Sequence, residues 1–197
     1  MDYIFAYGSL LSHYSRTHYS GITTKPVSAT VRGWSRSWCA AYPDEGATYA
    51  GAIVDDTAEL DGILIETEID QGLIEREREY RFSELRQDTL NYDRRELRLS
   101  SSDRIYICET IAPKLPSQQL PLPQSYIDTC LIGCYELNGA DGMARFIDQT
   151  TAWECVWLND RGSHIYPRSS PISSFHVEQI DSILENRGVL KNRAAAT

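Results

Sequence analysis

The stretch from Asp2 to Leu11, DYIFAYGSLL, most constrains what this chain can fold into. Tyr3, Ile4, Phe5, Ala6 and Tyr7 are aromatic, branched or small apolar residues, and they read as a short buried strand. Gly8 and Ser9 then break it. A strand that stops at a glycine and a small polar residue leaves backbone N–H groups free at its end. Such groups hold a carboxylate or a carbonyl oxygen, and glycine lets a ligand come close. An ordinary strand-ending turn has the same spelling, so the motif gains weight only from its company.

That company is a series of short, glycine-punctuated strands. Thr24 to Cys39 reads as strand, with Gly33 marking a bulge or bend. YPDEG, Tyr42 to Gly46, is a turn. Tyr49 to Asp55 and Leu60 to Glu66 form the clearest strand pair, separated by DTAE, each run with a glycine near its start. Tyr80 to Leu85, Arg94 to Leu99, Arg104 to Ile111 and the short Glu154 to Leu158 also read as strands. Leu10 to Ser20 is a loop or short helix. Asp70 caps a helix running to Arg78, and Ser125 starts another running to Tyr135. Between them, Pro113, Pro116, Pro121 and Pro123 make residues 112–124 a loop. Phe175 to Arg187 is the best-signalled helix, with Val177, Ile180 and Leu184 on one face, Ser173 or Ser174 as cap, and Gly188 at its end. The pattern predicts a mixed α/β (α+β) fold on a small closed or nearly closed β-barrel with flanking helices. One domain is expected over residues 1–190, with a loose tail over 191–197.

Bulk properties narrow the function classes. A chain of 197 residues can bury a sizeable core. Its net charge of −9 argues against a nucleic-acid partner, which calls for a basic face. No apolar run is long enough for a membrane span, and the first residues lack the pattern of a signal peptide, so a cytoplasmic protein is expected. The five cysteines show no disulfide framework. Cys130 and Cys134 have no nearby partner ligands and read as small buried apolar residues, and no metal site is expected.

The chemistry centres on acidic residues. LIEREREY, Leu73 to Tyr80, holds Glu75, Glu77 and Glu79 between arginines. Alone it reads as a solvated helix end of mixed charge. Combined with the first loop, it resembles the γ-glutamylcyclotransferase superfamily, including its ChaC-type and avirulence-induced-gene-like branches. Tyr7, Gly8, Ser9 and Leu10 match the family's YGS loop. The glycine-led strands follow, then Leu73, Arg76-Glu77 and Tyr80 in the family's order. Gly33 to Trp38 and the proline-led PLPQSYIDTCLIG, Pro121 to Gly133, look similar too, so the resemblance covers roughly residues 3–135. A second register lays Leu85 to Leu97 over the glutamate motif and puts Thr89 where the acid should stand. The Glu77 register keeps the carboxylate and the expected distance from Gly62.

The resemblance implies a cofactor-independent enzyme acting on a small γ-glutamyl compound. The substrate's α-amine closes on its own γ-carbonyl, giving 5-oxoproline and a free amine. Glu77 is the implied general acid/base, the loop amides of Gly8, Ser9 and Leu10 the holders of the glutamyl oxygens, and Tyr7 and Tyr80 wall residues. Glutathione, γ-glutamyl amino acids, γ-glutamyl polyamines and a modified protein side chain are all open as substrates, and so is the oligomeric state. The alternative is an inactive relative that binds a small molecule or regulates. In an enzyme, Glu77 should stand in a cavity beside the loop amides; in an inactive relative it should face solvent. A hydrolase needs a nucleophile with a histidine in reach, and His13, His18, His164 and His176 sit in no such motif. CVWLNDRGSHIYPR, Cys155 to Arg168, is rich in aromatics and is expected to pack over the site.

Overall fold

The structure is a computed structural model that describes residues 1–195. Its elements in chain order begin with β1 (Asp2–Ala6), α1 (His13–Ser20), β2 (Val27–Tyr42) and β3 (Ala47–Glu66). They continue with α2 (Gln71–Arg76), β4 (Tyr80–Leu85), β5 (Leu90–Tyr92), β6 (Arg104–Thr110) and β7 (Leu122–Pro123). The last are α3 (Gln124–Asp148), β8 (Thr150–Thr151), β9 (Trp157–Asn159), α4 (Ser174–Asn186) and β10 (Arg193–Ala195). No helix among the described residues is long and apolar enough to cross a membrane.

The main sheet runs β4-β6-β1-β3-β2-β5, with β8 also on β2. It is mixed: β1 lies antiparallel to β3 and parallel to β6. β1 is short, and this shapes the site. It separates β3 from β6 as far as Ala6; beyond its end those two strands meet directly, Ala52 opposite Glu109. The sheet therefore curls around the point where β1 leaves it. It forms a half-barrel with free edges at β4 and β5, less closed than the sequence pattern predicts. Gly33, at φ 87°, takes the left-handed conformation that lets β2 kink between Arg32 and Trp34, where the register shifts. A smaller parallel sheet, β10-β9-β7, lies beside α3. One hydrophobic cluster runs from Tyr3 of β1 to Leu184 of α4, with Trp38 fully buried against Tyr126, Phe146 and Trp153.

Several expectations need correction. The two runs on either side of DTAE are one continuous strand, β3, and both pair with β2 rather than with each other. Residues 55–58 bulge out opposite the kink at Gly33, between the Trp34–Val54 and Arg32–Glu59 pairs, so the polar run needs no chain reversal. Residues 94–99 are not a strand. The strand is β5 just before them, and the Asp93 carboxylate then accepts the Arg95 N–H at 2.8 Å, a side-chain turn that diverts the chain. The helix expected from Ser125 to Tyr135 starts at Gln124 and runs to Asp148, with a break at Asn138 and Gly139. Ser125 does not cap it, because its hydroxyl donates to Asp160. The tail is not loose over residues 193–195, which form β10 and pair with β9; residues 196–197 lie outside the described residues. The last helix keeps its expected cap, the Ser173 hydroxyl accepting the His176 N–H, and buries Ile180 and Leu184 while Val177 is half-buried.

Candidate active site

The chain leaves β1 into a turn, Ser9–Leu11, whose carbonyl side is fully occupied. The Tyr7 carbonyl accepts from Arg36 Nη1 at 2.7 Å. The Gly8 and Ser9 carbonyls accept the N–H groups of Leu11 and Ser12. The Leu10 and Leu11 carbonyls accept from Arg16 Nη1 at 2.8 and 2.6 Å. On the opposite side, among the described residues, the N–H groups of Gly8, Ser9 and Leu10 donate to no acceptor. Two buried guanidiniums thus fix the loop by its oxygens and leave three amides free for a ligand. Gly8 passes close under Tyr126, where a Cβ would stand 2.7 Å from the tyrosine oxygen. Its lack of a side chain is what admits the loop here.

Glu77 comes from the junction of α2 and β4. The Asp70 carboxylate caps α2 by accepting the Leu73 N–H at 2.8 Å, and buried Leu73 anchors the helix. Glu77 closes the helix, its N–H on the Leu73 carbonyl, and its own carbonyl accepts the Tyr80 N–H as β4 begins. The Tyr80 hydroxyl reaches across to the Ala50 carbonyl at 2.6 Å, which ties this junction to β3.

These pieces meet in one narrow pocket of about 50 Å³. Tyr7, Gly8, Ser9, Leu10, Glu77 and Tyr80 all line it. The Glu77 side chain is 13% exposed and is the one carboxylate among the described lining residues. Thr89 lies in a separate turn, Gln87–Thr89, with its hydroxyl on the Arg86 carbonyl, away from the pocket. Glu75 and Glu79 do not line it either, and none of the four histidines does.

The sequence reading gave no role to several other lining residues. Tyr42, Tyr49, Tyr126 and Tyr166 complete an aromatic wall, and Arg76 and Arg168 bring two guanidiniums. Tyr166 and Arg168 belong to the aromatic segment expected to cover the site. The Asp160 carboxylate positions that segment by accepting the N–H groups of Ser125 and Ile165, and Arg161 clamps it to Asp128 of α3. Arg168 is already paired, with both terminal nitrogens on Glu45. Arg76 donates through Nε to Glu77 at 3.1 Å. Burial pushes the Tyr7, Tyr42, Tyr80 and Tyr126 hydroxyls up from their ordinary range, so they stay protonated at neutral pH. The Tyr7 hydroxyl is fully used, donating to the Cys108 carbonyl and accepting the Ala52 N–H. It fastens β6 to β3 where β1 ends. Burial also raises the Cys108 thiol, which disfavours a thiolate there.

No protein-family model matches this sequence, and no curated protein sequence matches it significantly. Solved structures do resemble it. One described as a gamma-glutamyl cyclotransferase aligns with TM-score 0.50 at 12% identity, covering 91% of this chain and 98% of the other. The human protein loc79017, described as uncharacterized, aligns with TM-score 0.51 at 13% identity, covering 91% and 97%. YkqA from Bacillus subtilis aligns with TM-score 0.49 at 18% identity over 68% of this chain; this chain spans 48% of that protein. The half-barrel with its flanking helices is a γ-glutamyl-cyclotransferase-like fold.

Proposed function

We propose that this chain is a γ-glutamyl cyclotransferase in which Glu77 moves the proton. One observation carries the reading: Glu77 lines one pocket with Gly8, Ser9 and Leu10, whose three N–H groups have no acceptor among the described residues. In that arrangement the loop amides donate to the glutamyl oxygens, and the γ-carbonyl oxygen gains charge against them as it is attacked. Glu77 takes a proton from the substrate's α-ammonium group. The freed amine attacks the γ-carbonyl carbon and closes the five-membered ring. The C–N bond to the leaving amine breaks as Glu77 returns that proton to its nitrogen, and the ring nitrogen gives up its second proton by the same route, so that the amine leaves as an ammonium ion. The products are 5-oxoproline and a free amine. Attack within one molecule makes positioning a large part of the rate, and the aromatic wall supplies it. The steps use only this chain's own groups.

The position of Glu77 inside the pocket, rather than in solvent, favours an enzyme over a binding module that has kept only the fold. The test is 5-oxoproline release from a panel of glutathione, γ-glutamyl amino acids and γ-glutamyl amines. Release from at least one of them, abolished by Glu77→Gln, supports the reading. No release from any of them contradicts it.

A further inference from the structure

We infer that Arg76 anchors the α-carboxylate of the substrate, so that the Arg76–Glu77 pair recognises the zwitterionic α-amino-acid head of the γ-glutamyl group; this rests on the cyclotransferase reading above. The Arg76 side chain is only 8% exposed and lines the pocket. Its Nε lies 3.1 Å from Glu77 Oε1, which sets a guanidinium and a carboxylate side by side. An α-amino acid carries an ammonium and a carboxylate on one carbon, and this pair is their complement. With the ammonium on Glu77, the substrate carboxylate falls beside Arg76.

The present partners of Arg76 show that it is available. Nη1 donates to Ser20 Oγ, and Nη2 donates to Ser9 Oγ at 3.0 Å and to Ser15 Oγ at 3.3 Å. All three are neutral hydroxyls. A carboxylate is the stronger acceptor, and its two oxygens match the planar guanidinium fork. Arg168, the other cation in the pocket, is already held by two bonds to Glu45 and is not available in this way. The free space in the pocket is about 50 Å³. It is far below the roughly 300–1,000 Å³ of an ordinary ligand site. A glutamyl group enters only if something moves, and the guanidinium is held there by exchangeable contacts. Taking Arg76 off Ser9 also frees the loop that lines the pocket.

Two substrates that differ only in the α-carboxylate test this. γ-Glutamyl-4-nitroanilide closes to 5-oxoproline and 4-aminobutanoyl-4-nitroanilide closes to 2-pyrrolidinone, and each releases 4-nitroaniline. The wild type is expected to favour the γ-glutamyl compound in kcat/KM by about ten- to a hundredfold, the size of a charged hydrogen-bonded contact. Arg76→Gln should lower that ratio by about ten- to a hundredfold, by loss on the γ-glutamyl compound alone. Arg76→Lys, which keeps the charge but not the fork, should fall between. The intrinsic difference between the two amines cancels, because the same pair is compared across variants. If Arg76→Gln slows both substrates equally, Arg76 merely supports Glu77 and the inference is overturned, although the cyclotransferase reading survives. If the wild type releases no 4-nitroaniline from either, the inference falls, while the cyclotransferase reading is decided by 5-oxoproline release from the glutathione and γ-glutamyl panel.

Discussion

The guanidinium of Arg36 donates to the carbonyl of Tyr7 across 2.7 Å inside the protein, where Arg36 is 1% exposed. It also donates to Thr150 Oγ1 and the Phe146 carbonyl, and it lies 3.7 Å above the Phe146 ring. It thus joins β2, the end of α3 and the last residue before the amide loop. Arg36→Met should be destabilised by about 3 kcal/mol or more, because buried carbonyls lose their donors at about 1–3 kcal/mol each. Urea denaturation of the two proteins measures this. A loss under about 1 kcal/mol would mean that water replaces the guanidinium.

Gly8 and Tyr126 give a pair of opposed effects. In Gly8→Ala the new methyl meets the tyrosine oxygen at 2.7 Å, so the loop or the ring must shift. Such overpacking costs about 1–3 kcal/mol, and cyclotransferase activity should fall at least tenfold. Adding Tyr126→Phe removes the atom that is struck. The double variant should therefore recover stability relative to Gly8→Ala alone, as thermal melts would show.

The last helix is held by few residues. Leu184→Ala should cost about 2–5 kcal/mol, since its side chain is wholly buried. Phe175→Ala on the same helix, 47% exposed, should stay within about 0.5 kcal/mol of wild type. Equal losses in denaturant titrations would contradict this packing.

Asp181 predicts a pH dependence. Burial pushes its carboxyl up, but the guanidiniums of Arg161 and Arg193 outweigh that and hold it below the ordinary carboxylate range. A pKa depressed in the folded state contributes stability above the unfolded pKa and loses it as pH falls through the folded value. The melting-temperature gap between wild type and Asp181→Asn should therefore be full near pH 6 and shrink steadily below about pH 4. A gap that widens on acidification would show that the pair is not formed.

What the sequence reveals follows from what each signal depends on. Local signals were legible: the caps at Asp70 and Ser173, the turn at Gly46, the kink at Gly33 and the strand that stops at Gly8. Each is set by a few neighbouring residues. Strand partnership was not legible. The runs before and after DTAE looked like a hairpin because pairing is decided across the sheet by β2, not by the residues between them. Residues 94–99 alternate like a strand, yet the Asp93 side chain turns the chain first. At the site, the six residues named from the loop and the glutamate motif line one pocket. Arg16, which orients the loop, carries no motif and in a sequence looks like any surface arginine; Arg36 stands in the Gly33 to Trp38 run, where nothing local says that it holds the loop. Tyr126 lay within the recognised PLPQSY segment, and its ring was open to an assignment that only the packing against Gly8 makes specific.

Glu77 is the centre of the account, and replacing one atom of it is the most direct test. Glu77→Gln keeps the shape but cannot exchange the proton, and loss of general acid–base catalysis costs about a hundredfold to ten-thousandfold. Glu75 and Glu79, outside the pocket, are the controls. The measurement is the rate of 5-oxoproline release by the wild type and the three glutamine variants, on whichever γ-glutamyl compound the wild type turns over. The account predicts a fall of at least a hundredfold for Glu77→Gln, with Glu75→Gln and Glu79→Gln near wild type. Full activity in Glu77→Gln, or loss confined to Glu75→Gln or Glu79→Gln, would contradict it.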